Sequence, residues 1–142
     1  MTTIGIVGCG AVGQALLKAS ESGAMTLPII GITSRTEETA KAFLATLKNP
    51  PGYYSRDELI ANADLMVEAA GGDVVPDLAR ATFEAGKDLM AISIGALLDH
   101  PEIIEESRRT GCRLLAPSGA IAGLDGIKSA CAGGVMTAAQ MA

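Results

Sequence analysis

The chain has 142 residues, of which 49% are hydrophobic, and 11 Lys and Arg stand against 16 Asp and Glu, giving a net charge of −5. This length suits one ordinary domain, and the apolar content excludes an intrinsically disordered chain. The acidic balance argues against nucleic acid as a partner, since that needs a clustered basic surface. No apolar run approaches the ~18 residues of a transmembrane helix, so we expect no membrane partner.

The beginning of the chain and its cysteines both predict a cytoplasmic protein. The first ten residues, MTTIGIVGCG, have neither the basic region nor the small-residue cleavage site of a secretion signal. Cys9, Cys112 and Cys131 are widely spaced and form no C-x-x-C pair, so we expect small buried side chains and no metal site.

Short apolar runs alternate with helical patterns from residue 3 to residue 116. The predicted strands cover residues 3–7, 27–33, 53–54, 64–69, 88–94 and 112–116. The predicted helices cover residues 11–22, 36–47, 56–61, 74–85 and 99–111. The last of these is expected to begin at Asp99 through a capping box with Glu102.

This alternation predicts an α/β fold, a doubly wound parallel sheet with helices on both faces, because right-handed crossovers place helices on each side of a parallel sheet. We expect residues 1–116 to form that domain. Residues 117–142, which begin PSGAIAGLDG, are expected to form a linker followed by one helix that begins a further segment.

The segment GCGAVG at residues 8–13 is a G-x-G-x-x-G motif that follows a predicted strand and opens a predicted helix. This context is typical of a dinucleotide-binding, Rossmann-type domain. Gly8 is expected to permit the tight turn, Gly10 to let a pyrophosphate approach the backbone, and Gly13 to let helix and strand pack closely. The alternative is a glycine turn needed only for packing.

The end of the second predicted strand indicates which dinucleotide binds. An NAD site usually has an acidic residue there, whereas this chain has Ser34, Arg35 and Thr36. Arg35 can pair with a 2′-phosphate that a carboxylate would repel. Glu37 and Glu38 fall in the first turn of the next helix. We therefore predict NADP as the preferred cofactor, with NAD tolerated; a solvated Arg35 is the alternative.

The fourth predicted strand ends in Glu68 and the small residues Ala69, Ala70 and Gly71, at the sheet edge where ligands bind in such folds. The small residues leave room for the nicotinamide ribose, while Glu68 either contacts substrate or caps the adjacent helix. Residues 93–96 share this edge and have a weaker claim. The single histidine, His100, is expected to be a surface or capping residue, so no catalytic residue is predicted.

Four segments together resemble the L-aspartate dehydrogenase family: IGIVGCGAVG, VEAAG, SIGALLD at residues 93–99 and PSGAIAGLDGIKSA at residues 117–130. The resemblance implies NAD(P)-dependent oxidation of L-aspartate to iminoaspartate. The imine then hydrolyses to oxaloacetate and ammonia or feeds NAD biosynthesis. The resemblance implies cofactor contacts at Gly8, Gly10, Ala11, Val12, Gly13, Ala69, Ala70 and Ala120. Ser34 and Arg35, at the ribose-selecting position where the family varies, and Gly71 complete the predicted cofactor contacts.

Members of that family are about twice as long and carry their catalytic histidine in a carboxyl-terminal domain, which His100 does not match. The resemblance therefore implies that residues 117–142 begin a truncated second α/β domain, and that the chain is a cofactor-binding part without catalytic residues of its own. An NADP-binding module without turnover is the alternative, as is a reductase of the homoserine dehydrogenase or dihydrodipicolinate reductase type. The sequence allows a homo-oligomer without indicating one.

Overall fold

A computed structural model describes residues 1–117. Six parallel strands form one sheet in the order β3-β2-β1-β4-β5-β6. The strands are β1 Ile4–Val7, β2 Ile29–Thr33, β3 Gly52–Tyr53, β4 Leu65–Glu68, β5 Asp88–Ala91 and β6 Leu114–Leu115. The helices are α1 Ala11–Glu21, α2 Glu37–Leu44, α3 Arg56–Asn62, α4 Val75–Glu84, α5 Ala96–Asp99 and α6 Glu102–Thr110, with a 3₁₀ turn at Gly72–Val74. The predicted doubly wound α/β fold is confirmed.

Two apolar layers enclose the sheet, one on each face. Strand β4 is buried throughout, and its side chains alternate between the layers, as successive strand residues must. Met66 belongs to the layer completed by α3, α4 and α6. Leu65 and Val67 belong to the layer completed by α1 and α2. The strand order reverses between β1 and β4, which places a crevice at their carboxyl ends.

The predicted capping box at Asp99 is wrong. Asp99 ends the short helix α5, and His100 leaves the helical region with φ −128° and ψ 64°. The cause is Pro101, since a proline disfavours helical backbone in the residue before it. Helix α6 then starts at Glu102 without a side-chain cap, and Oε1 of Glu102 lies 2.9 Å from Nδ1 of His100.

The fifth strand is also shorter than predicted, because it ends at Ala91 and not at residue 94. Beyond that point Ser93 turns towards the end of β4, where its amide donates to Glu68. The predicted second segment is described only at Pro117, and residues 118–142 lie outside the described residues. The proposed division into two domains therefore stays a prediction. Among residues 1–117, no helix is long and apolar enough to cross a membrane.

Candidate functional site: a cleft at the carboxyl edge of the sheet

A cleft of about 400 Å³ opens where β1, β2 and β4 end. Its lining comes from the loops that follow these strands and from the start of α3. The lining residues are Val7, Gly8, Cys9, Gly10, Thr33, Ser34, Arg35, Thr36, Arg56, Ala69, Ala70 and Val74. Among these described residues there is no carboxylate and no histidine, so the cleft is suited to holding an anionic molecule.

The first and last glycines of the motif are required by the fold itself. Gly8 has φ +109°, and a Cβ there would lie 2.4 Å from the carbonyl oxygen of Ala69. A Cβ on Gly13 would lie 2.1 Å from the carbonyl oxygen of Gly8. Helix α1 and the turn after β4 can approach the end of β1 only because both side chains are missing. The predicted packing role of Gly13 is thereby explained.

Gly10 differs, because nothing in the described structure requires it to be a glycine. A Cβ at this position would meet no atom within 4 Å, and its φ of −80° is open to other residues. Gly10 is the N-cap of helix α1, so no side chain caps this helix start, and the first turn has no acidic residue. The first amides of a helix have no partner within the helix, which favours an anionic group at this end.

The other end of the cleft carries positive charge. Arg35 is the second residue after β2, and its side chain is exposed. Among residues 1–117, Arg35 forms none of the observed ion pairs. The hydroxyl of Tyr53 on β3 donates a 2.8 Å hydrogen bond to the carbonyl oxygen of Ser34, which ties this loop to the neighbouring strand. Glu37 and Glu38 lie in the first turn of α2, as predicted.

Sequence reasoning missed Arg56, which lines the same cleft. It is the first residue of α3, just after a capping box in which Ser55 and Glu58 bond each other's backbone amides. The capping pattern S-x-x-E was the available signal, since it predicts where α3 begins. What that pattern does not reveal is that β3 lies beside β2, so that the loops after both strands reach one cleft.

Glu68 is fully buried and holds the cleft wall in place. Its Oε1 accepts hydrogen bonds from the amides of Ala70 and Gly71, both 2.7 Å, and from the hydroxyl of Ser93 at 3.1 Å. Its Oε2 accepts from the amide of Ser93 at 2.9 Å. Of the two predicted roles, substrate contact does not agree with this burial. Glu68 instead fixes the turn that precedes the next helix and joins it to the loop after β5.

Two further polar residues have no evident catalytic role. Cys9 lines the cleft but is buried, and burial raises the pKa of its thiol, which keeps the thiol protonated at neutral pH. His100 lies away from the cleft lining, beside Glu102. No group of three or more His, Cys, Asp or Glu side chains within residues 1–117 is arranged to hold a metal ion.

The structure brings six of the predicted cofactor contacts together in the cleft lining, namely Gly8, Gly10, Ser34, Arg35, Ala69 and Ala70. Four others border it without forming the lining of the described part: Ala11, Val12, Gly13 and Gly71. Val12 is exposed, while the amide of Gly71 is taken by Glu68. Ala120 lies outside the described residues.

The family model described as "Homoserine dehydrogenase, NAD binding domain" matches residues 8–117. The chain belongs to this family. Membership assigns a nicotinamide dinucleotide, NAD or NADP, as the cofactor of the domain, in agreement with the motif at residues 8–13.

The predicted similarity to L-aspartate dehydrogenases is also confirmed. The L-aspartate dehydrogenase of Methanococcoides burtonii is 37% identical over 139 residues, which are 95% of this chain and 51% of the relative. That of Methanosarcina acetivorans is 34% identical, with the same shares covered. The chain thus spans about half the length of these curated relatives.

Solved structures agree on the fold. The homoserine dehydrogenase from Thiobacillus denitrificans superimposes with a TM-score of 0.72 over 90% of this chain and 33% of that one, at 17% sequence identity. A probable dehydrogenase from Thermotoga maritima gives 0.71 over 93% of this chain and 41% of its own, at 21% identity. Likenesses at this identity concern the fold alone.

The cleft residues fit a nicotinamide dinucleotide on their own chemistry. Because no side chain covers Gly10, a diphosphate can approach the backbone there, next to the first amides of α1 that can bind it. Ser34 and Arg35 line the cleft directly after β2, the position from which such domains contact the adenosine ribose. Ala69 and Ala70 line the cleft after β4, and their small side chains leave room for a ligand there.

Proposed function

We propose that this chain binds NADP in the cleft, with NAD as a weaker ligand, and that it is the cofactor-binding part of an L-aspartate dehydrogenase. The observation that carries the cofactor proposal is the open, negative-φ Gly10 between two glycines that the fold requires. The protein alone leaves room for a Cβ at Gly10, and the close approach of a diphosphate would account for its absence. The aspartate proposal rests on the similarity to the curated relatives.

A bound nicotinamide would supply the hydride acceptor for oxidation of L-aspartate at Cα, and loss of a proton from the amine would give iminoaspartate. Water then converts the imine to oxaloacetate and ammonia, or the imine supplies NAD biosynthesis. The described residues would position the cofactor. Gly8 and Gly10 would let the diphosphate approach the backbone, and Glu68 fixes the Ala69–Ala70 turn of the same cleft. We place this reaction in the cytoplasm, where Cys9 and Cys112, both free thiols, would stay reduced.

A second candidate is a dinucleotide-binding module without turnover. The supporting observation is the absence of any carboxylate or histidine among the described residues that line the cleft, so that none of these residues offers a carboxylate or imidazole as general base. The thiol of Cys9 does not fill this role, because its raised pKa disfavours the thiolate. Under this proposal the chain binds NADPH but oxidises no aspartate.

The first experiment is a titration of NADPH and of NADH into the purified chain, followed by nicotinamide fluorescence. The chain has no tryptophan, so the protein adds little background emission. We expect saturable binding with NADPH the tighter ligand. Equal binding would refute the NADP preference, and binding of neither would refute the cofactor site in this chain.

Gly10→Val tests the observation itself. Because a Cβ at Gly10 meets no protein atom within 4 Å, we expect a folded variant that loses about 1 kcal/mol or less of stability at the N-cap and binds no dinucleotide. Ala15→Val, on an exposed position of the same helix, is the matched control and should bind normally. A folded Gly10→Val chain that still binds NADPH would contradict the proposed position of the diphosphate.

Turnover separates the two candidates. We would incubate the chain with L-aspartate and NADP and follow NADPH formation, with homoserine as the alternative substrate. Aspartate-dependent NADPH formation supports the dehydrogenase, and formation with homoserine alone would assign another substrate. Binding without turnover of either supports the module.

A further inference from the structure

We propose that Arg56 and Arg35 together bind the 2′-phosphate of NADP, an arrangement that we call the clamp. Selection of this cofactor would then depend on two separate segments, the loop after β2 and the start of α3. The inference rests on the proposed function and adds a specificity-determining residue to it. Both arginines line the same cleft, although 21 positions separate them in the sequence.

The sheet explains why two distant arginines meet. Strands β2 and β3 are parallel neighbours, with Gly31 opposite Gly52 and Ile32 opposite Tyr53. Parallel neighbours end at the same edge, so the segments that follow them emerge side by side. Arg35 is the second residue after β2 and Arg56 the third after β3.

Hydrogen bonds then hold the two segments in register. The Tyr53 hydroxyl donates to the carbonyl oxygen of Ser34, which links β3 to the residue before Arg35. Ser55 and Glu58 close both ends of the capping box, which fixes the backbone on either side of Arg56. The backbone positions of both arginines are therefore set before a ligand arrives, so that only their side chains must be ordered on binding.

Charge identifies the group that the pair would bind. The lining residues include two arginines and, within the described part of the chain, no acidic residue, although the net charge of the chain is −5. The nearest acidic neighbour of Arg56 is Asp57, 3.5 Å from its Nε, in an exposed pair that water screens. A phosphate monoester carries close to two negative charges at neutral pH and accepts bidentate hydrogen bonds from arginine. NADP has such a monoester, and NAD does not.

The test compares Arg56→Gln with the wild type in titrations of NADPH and NADH. Loss of one charge-assisted hydrogen-bonding group should weaken NADPH binding about ten- to a hundredfold and change NADH binding less than about threefold. Arg80→Gln is the matched control, since Arg80 is also exposed, pairs weakly with an acidic neighbour and lies outside the cleft lining. It removes the same charge and should leave both affinities unchanged.

Arg56→Lys separates a phosphate contact from general charge. Lysine keeps the charge but lacks the planar fork, so we expect an NADPH affinity between those of the wild type and the Gln variant. Equal losses for NADPH and NADH in Arg56→Gln would place Arg56 against the shared adenosine and overturn the clamp. An Arg56→Gln variant that binds NADPH and NADH as tightly as the wild type would also overturn the clamp. Binding by the wild type would still support the proposed function in that case. A wild type that binds neither dinucleotide refutes both proposals.

Discussion

Replacing Glu68 by Gln is expected to destabilise the protein by about 3 kcal/mol, although the two side chains have nearly the same shape. Every partner of the Glu68 carboxylate is a donor: the amides of Ala70, Gly71 and Ser93 and the hydroxyl of Ser93. A glutamine oxygen in place of Oε1 keeps three of these bonds. Its NH₂ group then faces the Ser93 amide, and two donors cannot bond each other.

The magnitude follows from the groups left without partners. A buried donor that loses its acceptor costs about 1–3 kcal/mol, and here the Ser93 N–H and the new NH₂ group both lack one. The three surviving bonds also lose the strength that the carboxylate charge gave them. A total of about 3 kcal/mol corresponds to a fall in melting temperature of about 10 °C for a domain of this size.

Urea unfolding followed by circular dichroism measures this change in free energy. Glu84→Gln, which removes the same charge from an exposed residue at the end of α4, should stay within about 0.5 kcal/mol of the wild type. We also expect Glu68→Gln to weaken NADPH and NADH binding equally, because the Ala69–Ala70 turn packs on Gly8 and not on the 2′-phosphate end. Wild-type stability in the Gln variant would refute the assignment of four donors to one carboxylate.

Two other expectations concern charge at the sheet edges. Arg35→Asp should weaken NADPH binding much more than NADH binding, because a carboxylate repels a 2′-phosphate; equal effects in the same titration would remove Arg35 from that phosphate. Hydrogen bonds from the amide and hydroxyl of Thr3 lower the pKa of Asp64. The stability that Asp64 contributes is therefore present above its unfolded pKa of about 3.9 and is lost as the pH falls through the lowered folded value. Unfolding free energies of the wild type and Asp64→Asn should accordingly differ at pH 7 and converge in acid; a constant difference would contradict this.

Much of the fold could be predicted because local patterns and the tertiary structure agree. The run at β1 and the helix after GCGAVG were both placed within one residue at each end, since glycines bound them. The predicted helix start at Asp99 was wrong because the local capping pattern and the tertiary structure disagree there. A capping pattern was present, but the restriction that Pro101 imposes on His100 ended one helix there and moved the start of the next.

The site was less predictable, because its residues meet only through the sheet. The role of Glu68 stayed open in the sequence since its partner Ser93 lies 25 positions away on another crossover. Arg56 was missed for the same reason, since its relation to Arg35 depends on β3 lying beside β2. Both depend on strand order, which the local sequence does not encode.

The three glycines of the motif carry different information about function. Gly8 and Gly13 are forced by contacts of 2.4 and 2.1 Å that any side chain would make with backbone oxygens, so a domain of this shape needs them whether or not it binds a cofactor. Gly10 has free space around it and an ordinary φ, so its missing side chain is unexplained by the protein alone. A glycine motif is thus weak evidence for binding when only the outer glycines are considered. The middle glycine, together with the arginines at the far end of the cleft, is the part that points to a ligand.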